Sequence, residues 1–306
     1  MLPDVNSRRA GHIRRTKGTD MPELPEVETI VGELKRAIVG AVILDAVFSR
    51  PKLIKVISYP TFRKTIKGRK IQKIERRAKY ILIHLSAGKT LILHLGMTGR
   101  LLLHPEKEKG QVVNLKTQKK EPDRFIRGQF FLNKNRVLDF SDLRLFGRVY
   151  LVDTKTLLQK EPIKKLGIDP LSKSFTHSLF AEQLGRRKGK VKTILMDQTF
   201  LAGIGNIYSD EILFEAKIHP LSPVQNLKPV QTKALYSAIK NILKKGVKYR
   251  GTSDSDYFDL KGETGNFQKH LRVYRQTGKP CFRCRGKVER LKIAGRSAHF
   301  CPICQK

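Results

Sequence analysis

The sequence predicts an α+β chain of several domains: a β-sandwich or barrel led by one helix, then a helical domain, then a short C-terminal module. Three observations predict it. A single amphipathic helix precedes a series of short β-rich runs, the apolar spacing changes to that of helices beyond Pro170, and all four cysteines fall between residues 281 and 304. With 306 residues the chain can bury more than one core without disulfides.

The leading helix lies in and after "MPELPEVETI" at 21–30. From Pro25 onward Val27, Ile30, Val31, Leu34, Ala37 and Ile38 share one helical face, and Gly40 ends it. Glu23, Glu26 and Glu28 crowd the first turn and Lys35 and Arg36 the last, the polarity a helix dipole favours. The runs "AVILDAVF", "YILIHL", "TLILHL", "RLLLH", "RVLDF" and "RVYLV" follow, separated by Gly, Lys and Asn turns, so residues 22–152 form the β domain. Helical spacing in "SFTHSLFAEQL", "VKTILMDQTF", "IYSDEILFEA" and "VQTKALYSAIKNILKKG" assigns 153–250 to the helical domain. The stretch "GTSDSDYFDLKGETGNF" at 251–267 is polar and turn-rich, long enough for a mobile functional loop, and 251–270 is taken as a loop region. Residues 271–306 are the last module.

Ahead of all this, residues 1–21 carry Arg8, Arg9, Arg14, Arg15 and Lys17 but no apolar run, which excludes a secretory signal. They are expected to be a basic extension or a misassigned start, outside the active enzyme. No stretch of about 18 apolar residues occurs, so no membrane-spanning helix is expected. The 62 Lys plus Arg against 27 Asp plus Glu give a net charge of +35. A merely solvated basic surface needs far less, so the excess points to a polyanionic partner, nucleic acid first.

Cys281-x2-Cys284 and Cys301-x2-Cys304 have the spacing of a four-thiolate zinc ribbon. Two disulfides are the competing reading, but a chain with no export signal and no other cysteine suits a reducing compartment. One zinc ion is expected, and it is structural, since four thiolates leave no open position for water. The insert "RGKVERLKIAGRSAH" is basic and would face a phosphate backbone.

Other segments are less specific taken singly. "LAGIGNIYSDEIL" sets a Gly203-x-Gly205-Asn206 turn before a helix, where exposed amides can bind phosphate, although Asn206 could equally be a cap. Met97 in "HLGMTG" and Arg144 and Phe146 in "SDLRLFG" could wedge into a duplex, but isolated Met and Phe usually belong to a core. Lys79 begins a strand, where a surface lysine is the default. Pro22 at a helix start is common. Were Met21 the initiator and then trimmed, however, Pro22 would carry a free secondary amine able to condense with a sugar aldehyde carbon. An α-amino group with pKa ~8 is roughly a tenth neutral at pH 7, against well under a thousandth for a lysine at ~10.4.

In combination, "PELPEVETI", "RRAKYILIHL", "HLGMTGRL", "MDQTFLAGIGNIYSDEILFEAKIHP" and "CFRC...CPIC" resemble, in order, the formamidopyrimidine-DNA glycosylase and endonuclease VIII family of base-excision repair enzymes. The resemblance runs from residue 22 to the C-terminus. It implies an N-terminal β-sandwich, a helix-two-turn-helix domain and a zinc ribbon, with damaged double-stranded DNA in the cleft between them. It further implies a monomer acting in the cytoplasm at the nucleoid, removing oxidised purines and cleaving the strand by β,δ-elimination.

By the same resemblance Pro22 attacks C1′ of the damaged nucleotide and Glu23 is general acid and proton shuttle. Lys79 contacts phosphate and assists elimination. Asn206 and Arg296 hold the flanking phosphates, Arg296 also taking part in the last elimination step. Met97, Arg144 and Phe146 fill the vacated space in the helix, and Arg187 in "GRRKGK" lies near a basic contact. The sequence departs from the family's pattern at Leu143 and Leu145, where relatives more often show Pro and Arg, and in "KKEPDRF" at 119–125, which lacks a histidine often found there. Both departures concern local DNA contacts. Two other readings stand beside the main one: an endonuclease VIII-like glycosylase for oxidised pyrimidines, and a non-enzymatic zinc-ribbon protein if Pro22 stays internal.

Overall fold

A computed structural model describes residues 21–108, 110–113, 120–253 and 257–306. Residues 1–20 of the expected basic extension lie outside the described residues, as do residues 254–256 of the polar loop and Lys119. Helix α1 (Leu24–Ile38) opens the fold. Then come β1 (Ile43–Phe48), β2 (Ile54–Lys55), α2 (Tyr59–Ile66), β3 (Ile71–Arg77), β4 (Tyr80–Leu85), β5 (Lys89–His94) and β6 (Gly99–Pro105). Strands β7 (Gln111–Val113), β8 (Lys120–Pro122), β9 (Ile126–Leu132), β10 (Arg136–Asp142) and β11 (Arg148–Asp153) complete this half.

Two sheets face each other, one in the order β1-β9-β10-β6 and the other β2-β11-β5-β4-β3, so the domain is a β-sandwich. Period-two burial produces the layer between them. Phe48 meets Phe62 and Phe130 edge-on at centroid distances of 5.8 and 5.5 Å, and Phe140, Ile74, Ile83 and Leu93 fill the same core. Helix α1 covers it with Val27, Ile30, Val31, Leu34 and Ile38, each fully shielded, and burying each such side chain contributes about 1.5–3 kcal/mol. Leu24, at the helix start, enters the core of the next domain instead. One helix thus serves both domains.

All six expected β runs are strands. The structure adds α2, β2, β3, β7, β8 and β9, and for three of these the lack of a signal has a local reason. Strand β3, "IQKIERR", carries four charged residues on its seven positions, and β9, "IRGQFFL", has Arg at its second position and is interrupted by Gly128. Helix α2 is short, begins at a Tyr-Pro pair, and is started by Ser58, whose Oγ accepts the Thr61 N–H.

The helical domain contains α3 (His177–Gly185), α4 (Val191–Leu195), α5 (Asn206–Ala216) and α6 (Pro229–Lys248) around Phe175, Phe180, Phe200, Tyr208, Leu235 and Leu243. The run "VKTILMDQTF" is helical only to Leu195, because the Asp197 carboxylate accepts both N–H and O–H of Thr199 and turns the chain. Arg76 links the domains, holding Asp169 through both terminal nitrogens and Glu28 through Nε.

The described parts of the 251–267 stretch are anchored. Tyr257 and Leu260 are buried in the sandwich core, and Leu103 N–H donates to the Leu260 carbonyl at 3.0 Å. Ser253 Oγ donates to the Tyr257 carbonyl at 2.6 Å and accepts the Gly265 N–H at 2.8 Å, closing the base of the loop. The last module is a hairpin of β12 (Glu289–Ile293) and β13 (Arg296–Phe300), set against the four cysteines. No helix among the described residues is long and apolar enough to cross a membrane.

Candidate active site

Glu23 caps α1 and is 2% exposed. Its carboxylate accepts the Gly205 N–H at 2.5 Å and the Ile207 N–H at 2.9 Å, both from the start of α5. The glycine turn expected to offer amides to phosphate therefore gives two of them to a carboxylate of the other domain. The same physics operates, a helix N-terminus receiving an anion, with a different anion. Glycine is needed at both turn positions. Gly203 has φ +114°, and a Cβ on Gly205 would lie 2.5 Å from the Glu23 carboxyl and 2.8 Å from Lys79 Nζ. Leu24 N–H donates to the Gly203 carbonyl at 3.0 Å, closing the junction.

A cleft of about 770 Å³ opens over this junction, lined by Met21, Glu23, Lys79, Met97, Asn206 and Arg296 among others. Five sequence-predicted site residues from all three domains meet there. Pro22 is buried between Met21 and Glu23. Lys79 is buried at the head of β4. Asn206 begins α5, and its carboxamide oxygen is buried without a hydrogen-bond partner among the described residues. Arg296 stands exposed at the tip of the β12–β13 hairpin. Ala294 and Gly295, with φ of +46° and +79°, make the tight two-residue turn that puts it there.

Arg144 and Phe146 lie on the loop after β10, beside Met97. Arg144 Nη1 donates to Met97 Sδ at 3.6 Å, and its guanidinium lies 5.0 Å from the Phe146 ring centroid. The three are thus one cluster, not separate core residues. Buried Asp142 holds the loop: its carboxylate accepts the Thr98 hydroxyl at 2.5 Å and the N–H groups of Arg144 and Gly147 at 3.1 and 2.7 Å. Arg187 is not among the cleft-lining residues. It pairs with Asp197 at 3.2 Å and lies over the Phe200 ring.

Several lining and supporting residues carry no local sequence signal. His94 lines the cleft with its ring 4.6 Å from Tyr80; burial, then the charges of Lys79 and Arg148, hold its pKa down to about 4, so it is neutral. Burial likewise pushes Tyr80 up to about 12. Behind Glu23, buried Glu26 accepts the N–H groups of Glu23 and Thr252 and the Tyr208 hydroxyl, and burial raises its pKa despite these bonds. Asp210 accepts from Lys192 at 2.5 Å and from the His299 N–H at 2.9 Å, tying the strand that begins with Arg296 to α5. Glu211 collects the N–H groups of Arg272, Val273 and Tyr274, fixing the backbone that leads to cleft-lining Arg275. Only the buried end of each contact is coded nearby, which is why sequence spacing misses them.

The ligand atoms of Cys281, Cys284, Cys301 and Cys304 all lie within 4.8 Å of one another, with sulfur separations of 3.8 Å for Cys281–Cys304 and 3.5 Å for Cys284–Cys301. Tetrahedral zinc with Zn–S bonds of about 2.3 Å requires sulfurs about 3.8 Å apart, whereas a disulfide requires about 2.05 Å. The four thiols fit one structural zinc.

The same three-part division is found in known proteins. The N-terminal domain of formamidopyrimidine-DNA glycosylase matches residues 21–149, the H2TH domain of that enzyme matches 166–257, and a zinc finger found in FPG and IleRS matches 278–306. The chain belongs to the formamidopyrimidine-DNA glycosylase family. A formamidopyrimidine-DNA glycosylase of Pelotomaculum thermopropionicum is 42% identical over 286 residues, spanning 94% of this chain and 99% of the relative. Two solved structures from Lactococcus lactis show how the fold compares. The glycosylase bound to DNA containing an abasic site superposes with a TM-score of 0.83 at 35% identity, covering 93% of this chain and 99% of that one. A variant bound to Fapy-dG-containing DNA gives 0.84 at 35% identity, covering 93% and 100%. In this glycosylase family member the cleft lies where sandwich, helical domain and ribbon meet.

Proposed function

We propose that the chain is a DNA glycosylase and abasic-site lyase of base-excision repair, removing oxidised purines from duplex DNA through the amine of Pro22 and acting in the cytoplasm at the nucleoid. The observation that carries this is the convergence of Glu23, Lys79, Asn206 and Arg296 around the segment holding Pro22, in one cleft of a chain with charge +35. The relatives' association with abasic and Fapy-dG DNA supports the substrate class.

The Pro22 nitrogen attacks C1′ as the bond from C1′ to the base breaks, and Glu23 supplies the proton that the sugar or departing base needs. Opening of the sugar ring leaves an iminium between Pro22 and C1′, which acidifies the C2′ proton. Loss of that proton expels the 3′ phosphate, and a second elimination expels the 5′ phosphate. Arg296 and Asn206 hold these phosphates, and Lys79 assists the proton transfers. Met97, Arg144 and Phe146 occupy the space the extruded nucleotide leaves, offsetting lost stacking. The zinc, when bound, fixes the ribbon, so that its hairpin presents Arg296 to the cleft.

An amide nitrogen has no basic lone pair, so the mechanism requires Pro22 to be N-terminal. A chain beginning at Met21 and trimmed to Pro22 should form a borohydride-trapped adduct with abasic DNA, the 306-residue chain should not, and Pro22→Gly, which keeps a primary amine, should retain some trapping. Intact mass establishes each N-terminus. A verified full-length chain that cleaves abasic DNA as fast as the trimmed one removes Pro22 from the mechanism and leaves a lysine such as Lys79 as nucleophile.

A further inference from the structure

Three apolar side chains on four consecutive residues stand open to solvent beside the cleft: Leu143, Leu145 and Phe146, at 45%, 44% and 46% exposure. Phe146 has Arg144 over its ring, but Leu145 belongs to none of the described hydrophobic cores. Its backbone is also unfavourable. With φ +58°, Leu145 sits in the left-handed region, which an L side chain adopts at a cost and glycine adopts freely. The turn does not depend on the leucine, because Asp142 fixes it from the backbone through Arg144 and Gly147. The chain therefore keeps a large apolar group in a strained, uncovered position where Gly or Asn would serve the turn better. Strain held in this way is characteristic of sites that meet a ligand.

We infer that Leu145 is a further DNA-contacting residue, an apolar wedge that packs beside Phe146 against base and sugar faces of the duplex at the position the extruded nucleotide vacates. The inference rests on the proposed glycosylase function. The chemistry of the tip selects this part of DNA. Phosphates are recognised by cations and backbone amides, whereas bare leucine surface gains from contact with unstacked bases and deoxyribose carbons. Such a gap exists only in a duplex, since a single strand has no stack opposite the lesion to refill.

The test compares Leu145→Gly, Leu145→Ala and Leu145→Lys with the unvaried full chain, binding a tetrahydrofuran abasic analogue in duplex and in single-stranded DNA over a range of salt. Leu145→Gly and Leu145→Ala should weaken duplex binding about tenfold, the scale of one lost leucine contact, with unchanged salt slope and little effect on the single strand. Leu145→Lys should steepen the salt slope by about one. Because glycine relieves the positive φ, Leu145→Gly should melt no lower than the unvaried protein. Unchanged duplex affinity in Leu145→Gly, equal losses on duplex and single strand, or a lowered melting temperature would each overturn the inference. An unvaried protein that does not prefer the abasic duplex to an undamaged one overturns the glycosylase reading itself, and this inference with it.

Discussion

Glu23 and Phe146, assigned to one reaction in the proposed mechanism, are held in opposite ways. Glu23 is 2% exposed and takes its hydrogen bonds from a turn 182 positions away, while Phe146 is 46% exposed and shares its tip with two uncovered leucines. The socket of Glu23 is complete within the protein. Its donors are fixed before any substrate arrives, so no reorganisation is required when charge moves in the transition state. The tip is incomplete within the protein: its loop is held by hydrogen bonds to Asp142, but its apolar faces have no described core to cover them. On the proposed mechanism, the group that does chemistry is satisfied by the fold, and the groups that hold DNA open are left to be satisfied by DNA.

The sharpest way to break this contrast is at the socket. Glu23→Gln should slow base excision by about a hundredfold or more, the scale of a general acid, measured under single turnover. Gly205→Ala should reproduce part of that loss without touching the carboxylate, since its Cβ would lie 2.5 Å from the Glu23 carboxyl. An unimpaired Gly205→Ala variant would mean the socket is not required. At the tip, Met97→Ala or Phe146→Ala should slow excision about tenfold and cleavage of a preformed abasic site much less, because the few kcal/mol of lost stacking matters most when an intact base must leave. Equal losses on both substrates would make these residues ordinary packing.

The ribbon lies between the two extremes. Metal analysis should find one zinc per chain, and Cys281→Ser should weaken DNA binding while the rest of the protein stays folded. Arg296→Ala should lower the salt slope of binding by about one, and an unchanged slope would remove it from the interface. The last prediction concerns pH. Burial holds His94 at about 4 in the folded protein, below its ordinary value of 6.5, so the unfolded chain gains a proton first as pH falls. Stability should therefore decline between pH 6.5 and 4, and His94→Asn should flatten that part of the melting profile. An identical profile in the variant would place the acid sensitivity elsewhere.

What sequence reading recovers follows from the range of the interactions. Helices α1 and α6 are legible because their apolar faces repeat within a few residues, and the cysteine pairs because zinc ligation imposes its spacing locally. Met97, Arg144 and Asn206 are singled out by the sequence but read equally well as core or cap residues, and Lys79 and Arg296 enter only as matches to a known pattern, since nothing beside them in the chain distinguishes a phosphate contact from a surface cation. The acceptance of Gly205 and Ile207 amides by Glu23, and the burial of Tyr257 and Leu260 in the first core, carry no local trace: each joins segments far apart in the chain. The polar loop reads as mobile for the same reason, its composition being that of a turn and its anchors lying in another domain.

The seam at Glu23 also bears on how such proteins can be recombined. Residues 23–26 belong by sequence to the sandwich, yet Glu23 is held by the α5 turn, Leu24 N–H by Gly203, and Glu26 by Tyr208 and Thr252. A chimera that joins the β domain of one homologue to the helical domain of another between residues 149 and 166 would inherit Glu23 from one parent and its holder from the other. Two folded halves would then meet with the Glu23 carboxylate out of place. The heritable unit of this seam is not a domain but a pair of distant segments, 22–26 and 203–208, which must travel together.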